Sequence, residues 1–319
     1  MTTLADLAEL VRAPAALSVP GDVVAGAAAA GALSPRTPAL AGASVLLYWA
    51  GMAANDWADR RLDAEERPER PIPSGRVTPT AALGLAAGLT AAGVGLAAAV
   101  GGRRAAALAV PLAATIWGYD LLAKNTAAGP AVMAACRGLD VLLGASGGRL
   151  ARALPSAATV AAHTWTVTAL SRREVSGADA ALPMRTLAGT AVVAASAAVA
   201  VPGARRPADT GARRAADVEA GRTDERADVG VGRAWSSGIA AAVPAVLAGW
   251  YAARYGAAQA QVVRDPSAPK VRAAVGAGIT GLPALQGALT ARGGAGLLGL
   301  AVAAAAPLGR RLARKVSPT

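Results

Sequence analysis

Hydrophobic positions gather in long uncharged runs, and the charged residues sit in the gaps between them. The runs cover residues 37–54, 77–102, 105–119, 153–170, 187–204, 234–253, 273–291 and 293–309. A membrane-spanning helix needs about 20 largely apolar residues, roughly 17 to 25 in practice, and most of the runs reach that length. Two further apolar stretches, 13–31 and 125–148, carry ionisable residues inside them: Asp22 in the first, Arg137 and Asp140 in the second. Counting both, the pattern predicts an all-α polytopic membrane bundle of nine or ten transmembrane helices. The run 293–309 is the weakest, and lying along the membrane surface is its alternative. The whole chain, 1–319, reads as one membrane domain. Its segment 205–233 interleaves seven Arg with six acids without apolar periodicity, the pattern of a solvated, disordered loop.

Composition supports this reading. The 319 residues are 54% hydrophobic and 16% charged with a mean hydropathy of +0.40, whereas soluble domains are about 25% charged. A formal charge of +12 on a soluble chain would suggest nucleic acid. Here the basic residues are spread over many loops and aromatics make up 3%, so no nucleic-acid partner is expected. The single cysteine, Cys136, excludes an intramolecular disulfide framework, and the single histidine, His163, excludes zinc sites built on several His. The N-terminus opens with Asp6 and Glu9 in place of a basic region, which is unlike a signal peptide. Abundant Ala and Gly permit close helix packing in lipid, although GC-rich coding would enrich the same residues. With the N-terminus on the cytoplasmic side and a tenth span placing the last four basic residues there too, 18 Lys and Arg fall inside and 13 outside, the bias expected of a multi-pass cell-membrane protein in that orientation.

The chemistry is concentrated between Asn55 and Arg76, NDWADRRLDAEERPERPIPSGR. Asp56, Asp59 and Asp63 are three and four apart, so a helix places three carboxylates on one face at the end of the second span. Such close like charges raise each other's pKa unless a divalent cation lies among them. Oxygen-only ligands suit a hard ion such as Mg²⁺, which commonly shares its shell with substrate phosphates. Arg67 and Arg70 follow, able to hold a phosphate through paired hydrogen bonds, on a loop stiffened by Pro68, Pro71 and Pro73. The alternative is a solvated helix end beside a charged loop.

This run resembles the first aspartate-rich motif of the UbiA superfamily of intramembrane prenyltransferases, NDxxDxxxD followed by RPxPSGR. Its spacing is most similar to the chlorophyll synthase branch. The YDLLAKNTAAGP loop around Lys124, the following RGLDVLLG and the closing KVSPT resemble an actinobacterial subgroup related to EboC-like proteins. The resemblance implies a helical bundle around a central cavity, with Mg²⁺ holding an isoprenyl diphosphate. Asn55, Asp56, Asp59 and Asp63 would take the first-motif roles at the metal. Arg70 and Lys124 would hold the diphosphate. The reaction implied is transfer of the isoprenyl group to a hydrophobic acceptor, aromatic or lipid-like. A terpene cyclase of the same superfamily and a non-catalytic lipid-diphosphate binder or transporter are the alternatives.

The second acidic motif departs from the family pattern. The corresponding segment reads SRREVSGADAALPMRTL, with Asp179 on the last aspartate position and Glu174 as the nearest substitute upstream. Five residues of helix separate the two by roughly 140° of rotation, so a second metal site from Glu174 and Asp179 needs an irregular segment, or Arg172 and Arg173 replace some of its charge. Within the spans, Asp22, Arg137 and Asp140 are either substrate contacts or, for Arg137 and Asp140, a buried ion pair. Trp49, Trp57, Trp117, Tyr119 and Trp165 are either faces for a passing carbocation or interfacial anchors. His163 is expected to be a hydrogen-bonded packing residue and Cys136 a small buried side chain.

Overall fold

Proline in the first turn starts five of the helices, where its missing N–H has no intrahelical partner to lose. The computed structural model describes residues 2–13, 18–179, 181–199 and 242–305, and all its elements there are helical. The expected loop 205–233 and the tail containing KVSPT lie outside the described residues, as do parts of the expected spans 13–31, 187–204, 234–253 and 293–309. The helices are α1 Leu4–Leu10, α2 Pro20–Ala30, α3 Thr37–Glu66, α4 Pro79–Gly118, α5 Gly129–Gly144, α6 Leu150–Ser171 and α7 Ala181–Ala198. After the undescribed segment come α8, helical from 242 to 264 with a π turn at Ala252–Gly256, α9 Ala268–Arg292, and α10 Gly296–Ala305.

The expected spans are realised unequally. Among the described residues, three helical runs are long and apolar enough to cross a membrane: Thr37–Glu66, Pro79–Ala123 and Ala181–Ala198. The second consists of two helical arms. Gly102 adopts φ 66°, ψ −160°, which breaks the run. The arms 79–101 and 103–118 fold back antiparallel, and Trp117 Nε1 donates to Thr90 Oγ1 at 3.0 Å. Among its described residues the stretch 13–31 carries an α-helix of 11 residues, about 16 Å, shorter than a full span needs. Pro20 starts that helix, and Gly31, at φ 68°, stops it. The stretch 125–148 yields 16 residues, begun by Pro130 and ended by a 3₁₀ turn at Ala145–Gly147. The all-α bundle is therefore as expected, and three of its helical runs are clearly apolar among the described residues.

Long-range hydrogen bonds define the two ends of the bundle. Ala178 N donates to Pro266 O and Arg272 donates to Glu174 O, so the α6–α7 turn meets the start of α9. At the opposite end Arg149 N donates to Ala30 O, and Arg292 reaches Ser156 Oγ at 2.9 Å. One apolar core joins α6 to α9 through Leu170, Tyr251, Tyr255 and Leu285. A second joins α3, α4 and α5 through Leu47, Leu112 and Leu143.

Short α2 is held by backbone contact with α5. A Cβ on Gly26 would overlap the Val141 carbonyl, and one on Gly144 would overlap that of Val23. Other glycines, Gly84 and Gly88 among them, have open space at that position. Gly26→Ala should therefore destabilise the bundle by about 1–3 kcal/mol, read as a lower melting temperature in detergent, while Gly88→Ala should not.

Candidate diphosphate and metal site

The last turns of α3 carry Asn55, Asp56, Asp59 and Asp63, and separate segments bring cations to the three acids. Arg12 Nη2 lies 2.7 Å from Asp56 Oδ1. Arg70 Nη1 lies 2.6 Å from Asp63 Oδ2 and 3.6 Å from Asp56 Oδ1. Lys124 Nζ lies 2.6 Å from Asp59 Oδ1. Asp56 and Asp63 are buried, at 4% and 3% exposure, so these ion pairs act where solvent screens them little. Arg67 caps the end of α3 and is exposed.

Each cation is placed by its local fold. The proline-rich loop turns through Ser74 N to Arg70 O and Gly75 at φ 75°, presenting Arg70 beneath the helix end. A π turn, Tyr119–Ala123, leads into Lys124. Arg12 has φ 45°, a left-handed conformation that is uncommon outside glycine and costs about 1–3 kcal/mol; such strain persists where surrounding contacts over-determine it. The Asp56 pair is one such contact.

Sequence reasoning missed two participants. Arg12 is 44 residues from Asp56 and has no local signal. Asp120 accepts from Asn55 Nδ2 at 3.2 Å and is buried beside the acids. Its signal was available, since it lies four residues before Lys124 in YDLLAK.

The second-motif acids lie elsewhere. Asp179 Oδ1 accepts from the backbone N–H groups of Ala181 and Leu182, capping α7. Those bonds, that of Leu182 foremost, hold its carboxyl below the usual range. Partial burial pushes the Glu174 carboxyl up, against the opposing charge of Arg272. Among the described residues, no group of three or more His, Cys, Asp or Glu side chains gathers around one metal position.

Inside the bundle, Arg137 pairs with Asp22, not with Asp140 as the three-residue spacing suggested. Arg137 Nε lies 2.7 Å from Asp22 Oδ2, and Nη2 donates to Ser18 O at 3.2 Å. Gln286 Nε2 donates to Asp22 Oδ1 at 2.7 Å. Asp140 accepts from Ser44, and the Arg137 guanidinium lies 5.5 Å from the Tyr48 ring centroid. His163 is a buried packing residue, its Nδ1 2.8 Å from Tyr251 Oη, and Cys136 is buried. Among the aromatics, Trp57 stacks under Arg60, Trp49 and Trp117 pack in the cluster around Ile72, and Trp165 is 40% exposed.

An all-helical integral membrane bundle with acids and cations interlocked at one end is the class that fold and site define. The chain belongs to the UbiA prenyltransferase family, whose pattern matches residues 18–204. It is 35% identical to digeranylgeranylglyceryl phosphate synthase of Natronomonas pharaonis over 191 residues, 59% of this chain and 69% of that protein. It is 49% identical to the synthase of the same name from Methanothrix thermoacetophila over 69 residues, 21% of this chain and only a quarter of that relative's length. A solved structure of digeranylgeranylglyceryl phosphate synthase shares the fold, with a TM-score of 0.61 at 13% identity over 90% of this chain and 97% of that one.

The N-terminal helix that presents Arg12 is fastened through Arg76, whose guanidinium contacts Asp6 at 2.8 Å and Glu9 at 2.7 Å. The Thr3 hydroxyl and backbone, with Arg76, bring the Asp6 pKa from 3.8 down to about 2. A depressed carboxylate pKa contributes stability that is complete above the unfolded value and lost as pH falls through the folded one. The melting-temperature gap between wild type and Asp6→Asn should therefore be full at neutral pH and close between about pH 4 and pH 2.

Proposed function

We propose that the chain transfers an isoprenyl group from an allylic prenyl diphosphate to a lipid acceptor, with the diphosphate held at the end of α3. The observation that carries this reading is the set of three cations, Arg12, Arg70 and Lys124, engaged by Asp56, Asp59 and Asp63. The names of the relatives support an acceptor built on glyceryl phosphate and a geranylgeranyl-type donor.

The donor set fits Mg²⁺. It consists of oxygen atoms alone, and Mg²⁺ commonly takes one or two carboxylates and completes its shell with water and phosphate, so no cluster of three acids is required. One or two of Asp56, Asp59 and Asp63, with Asn55, would hold the ion, and its charge would stabilise the departing diphosphate. The chain's own groups do the rest. With one or two of the acids engaged at the metal, Arg12, Arg70 and Lys124 would be available to the diphosphate oxygens. Guanidinium pairs hold phosphate oxygens in a fixed geometry, and Lys124 adds a compact point charge. Developing negative charge on the leaving group is thereby stabilised by groups positioned beforehand. The allylic carbon ionises, the acceptor oxygen or carbon bonds to it, and the displaced proton leaves with diphosphate or water. The apolar bundle interior receives the prenyl chain. This reading puts the site on the cytoplasmic side, in keeping with the bias of basic loops. Asp22, Arg137 and Asp140 would then brace the bundle wall behind the substrate.

In nanodiscs with geranylgeranyl diphosphate, a glyceryl phosphate lipid and Mg²⁺, Asp59→Asn should lower diphosphate release about 100-fold or more. Unchanged release would overturn the assignment, and a cyclic hydrocarbon or alcohol as the product would replace transfer with cyclisation. Arg12→Gln, which removes one charge-assisted contact, should weaken prenyl diphosphate binding about tenfold in a filter-binding measurement.

A further inference from the structure

The segment that resembles the second acidic motif opens with Arg172 and Arg173, and the structure has a pocket there. Pro130 at the start of α5, Ala169, Arg172 and Arg173 at the end of α6, and Leu182 in the first turn of α7 line a cavity of about 340 Å³. Its chemistry is two guanidiniums on an otherwise apolar wall. Two fixed positive charges repel a divalent cation, so the cavity is unsuited to a second metal. They attract an anion, and guanidinium geometry matches phosphate oxygens. Arg173 acts on the Asp179 carboxylate only at a distance, as one of the lesser influences on it. Asp179 is committed to the α7 N-terminus, and neither arginine makes an ion pair with an acid among the described residues. Both arginine side chains remain exposed to an incoming group.

The pocket is also tied to the reaction site. Arg172 Nη1 donates to the Thr126 carbonyl, in the loop that follows Lys124. Space there is tight: a Cβ on Gly129 would lie 3.2 Å from Arg172 Nη1 and 3.0 Å from the Lys124 carbonyl. Lys124 in turn reaches Asp59. An anion held by the two arginines would thus be one loop away from the acids proposed to hold the diphosphate. Pro130, Ala169 and Leu182 offer an apolar wall to carbon atoms attached to that anion.

We infer that Arg172 and Arg173 bind the phosphate monoester headgroup of the acceptor, a single-phosphate glycerol lipid, in the pocket between α5, α6 and α7. The inference rests on the prenyl-transfer reading for the word acceptor. The binding itself is testable without turnover, so the two can fail separately.

The test uses the full chain in phosphatidylcholine nanodiscs with no prenyl diphosphate present. Oleoyl glycerol phosphate, mono-oleoyl glycerol and free glycerol phosphate are titrated separately, and bound ligand is counted by native mass spectrometry. Oleoyl glycerol phosphate should bind at least about tenfold more tightly than the uncharged lipid, one charge-assisted contact being worth that much. Arg173→Glu should abolish the preference and Arg173→Lys should retain part of it. Asp59→Asn should leave it intact. Free glycerol phosphate binding as well as the lipid would overturn the lipid assignment in favour of a soluble phosphate. Equal binding of charged and uncharged lipids, or a preference unchanged in Arg173→Glu, would overturn the site. In turnover, Arg173→Lys should raise the KM for the phosphate-headed acceptor while leaving that for the prenyl donor in place.

Discussion

Three carboxylates along one helix face cannot remain charged together without counter-charges. Neighbouring positions on such a face are about 5–6 Å apart, and at an effective dielectric of 20 two like charges there repel by roughly 3 kcal/mol. Burial of Asp56 and Asp63 sharpens the problem. The chain resolves it with Arg12, the proline-stiffened loop of Arg70 and the π-turn exit of Lys124, each pinned by its acid. The same electrostatic requirement therefore sets the position of three otherwise independent segments. It also explains why a left-handed Arg12 is tolerated: the Asp56 contact offsets backbone strain of similar size.

Such a cluster is a switchable arrangement. Acids and cations that satisfy one another are the groups that a metal and a diphosphate would separate, each ligand taking the partner of opposite sign. On the proposed reading the site would be assembled before substrate arrives, with little backbone rearrangement needed to use it. The second-motif segment follows a different logic, because Asp179 is occupied with capping a helix and the arginines beside it point to a cavity.

What could be read from the sequence was what depends on local spacing. The acids three and four apart, the phosphate-type Arg70 and the long uncharged runs of α3, α4 and α7 are periodic or compositional features, and they were recognisable without the fold. The Gly102 reversal was legible as a break between two apolar runs flanked by Arg103 and Arg104. Helix length was less legible in α2, where Pro20 and Gly31 trim an apolar stretch to a short rod. Partnerships set by tertiary packing were not legible at all. Proximity in sequence favoured Asp140 for Arg137, but close α2–α5 contact through Gly26 and Gly144 brings Asp22 to it instead. Arg12 escaped notice for the same reason.

The Asp22 network has a consequence for biosynthesis. Asp22 is made early, yet the Gln286 amide that completes its hydrogen bonding lies 264 residues later in the chain. At translation rates of about 5–20 residues per second, that partner emerges roughly 15 to 50 seconds afterwards. Throughout this interval the Asp22 carboxylate lacks its last donor. Docking of α2 on α5 through Gly26, Gly144 and Arg137 can come much earlier, so only the Gln286 bond to Asp22 is left as a late event of synthesis.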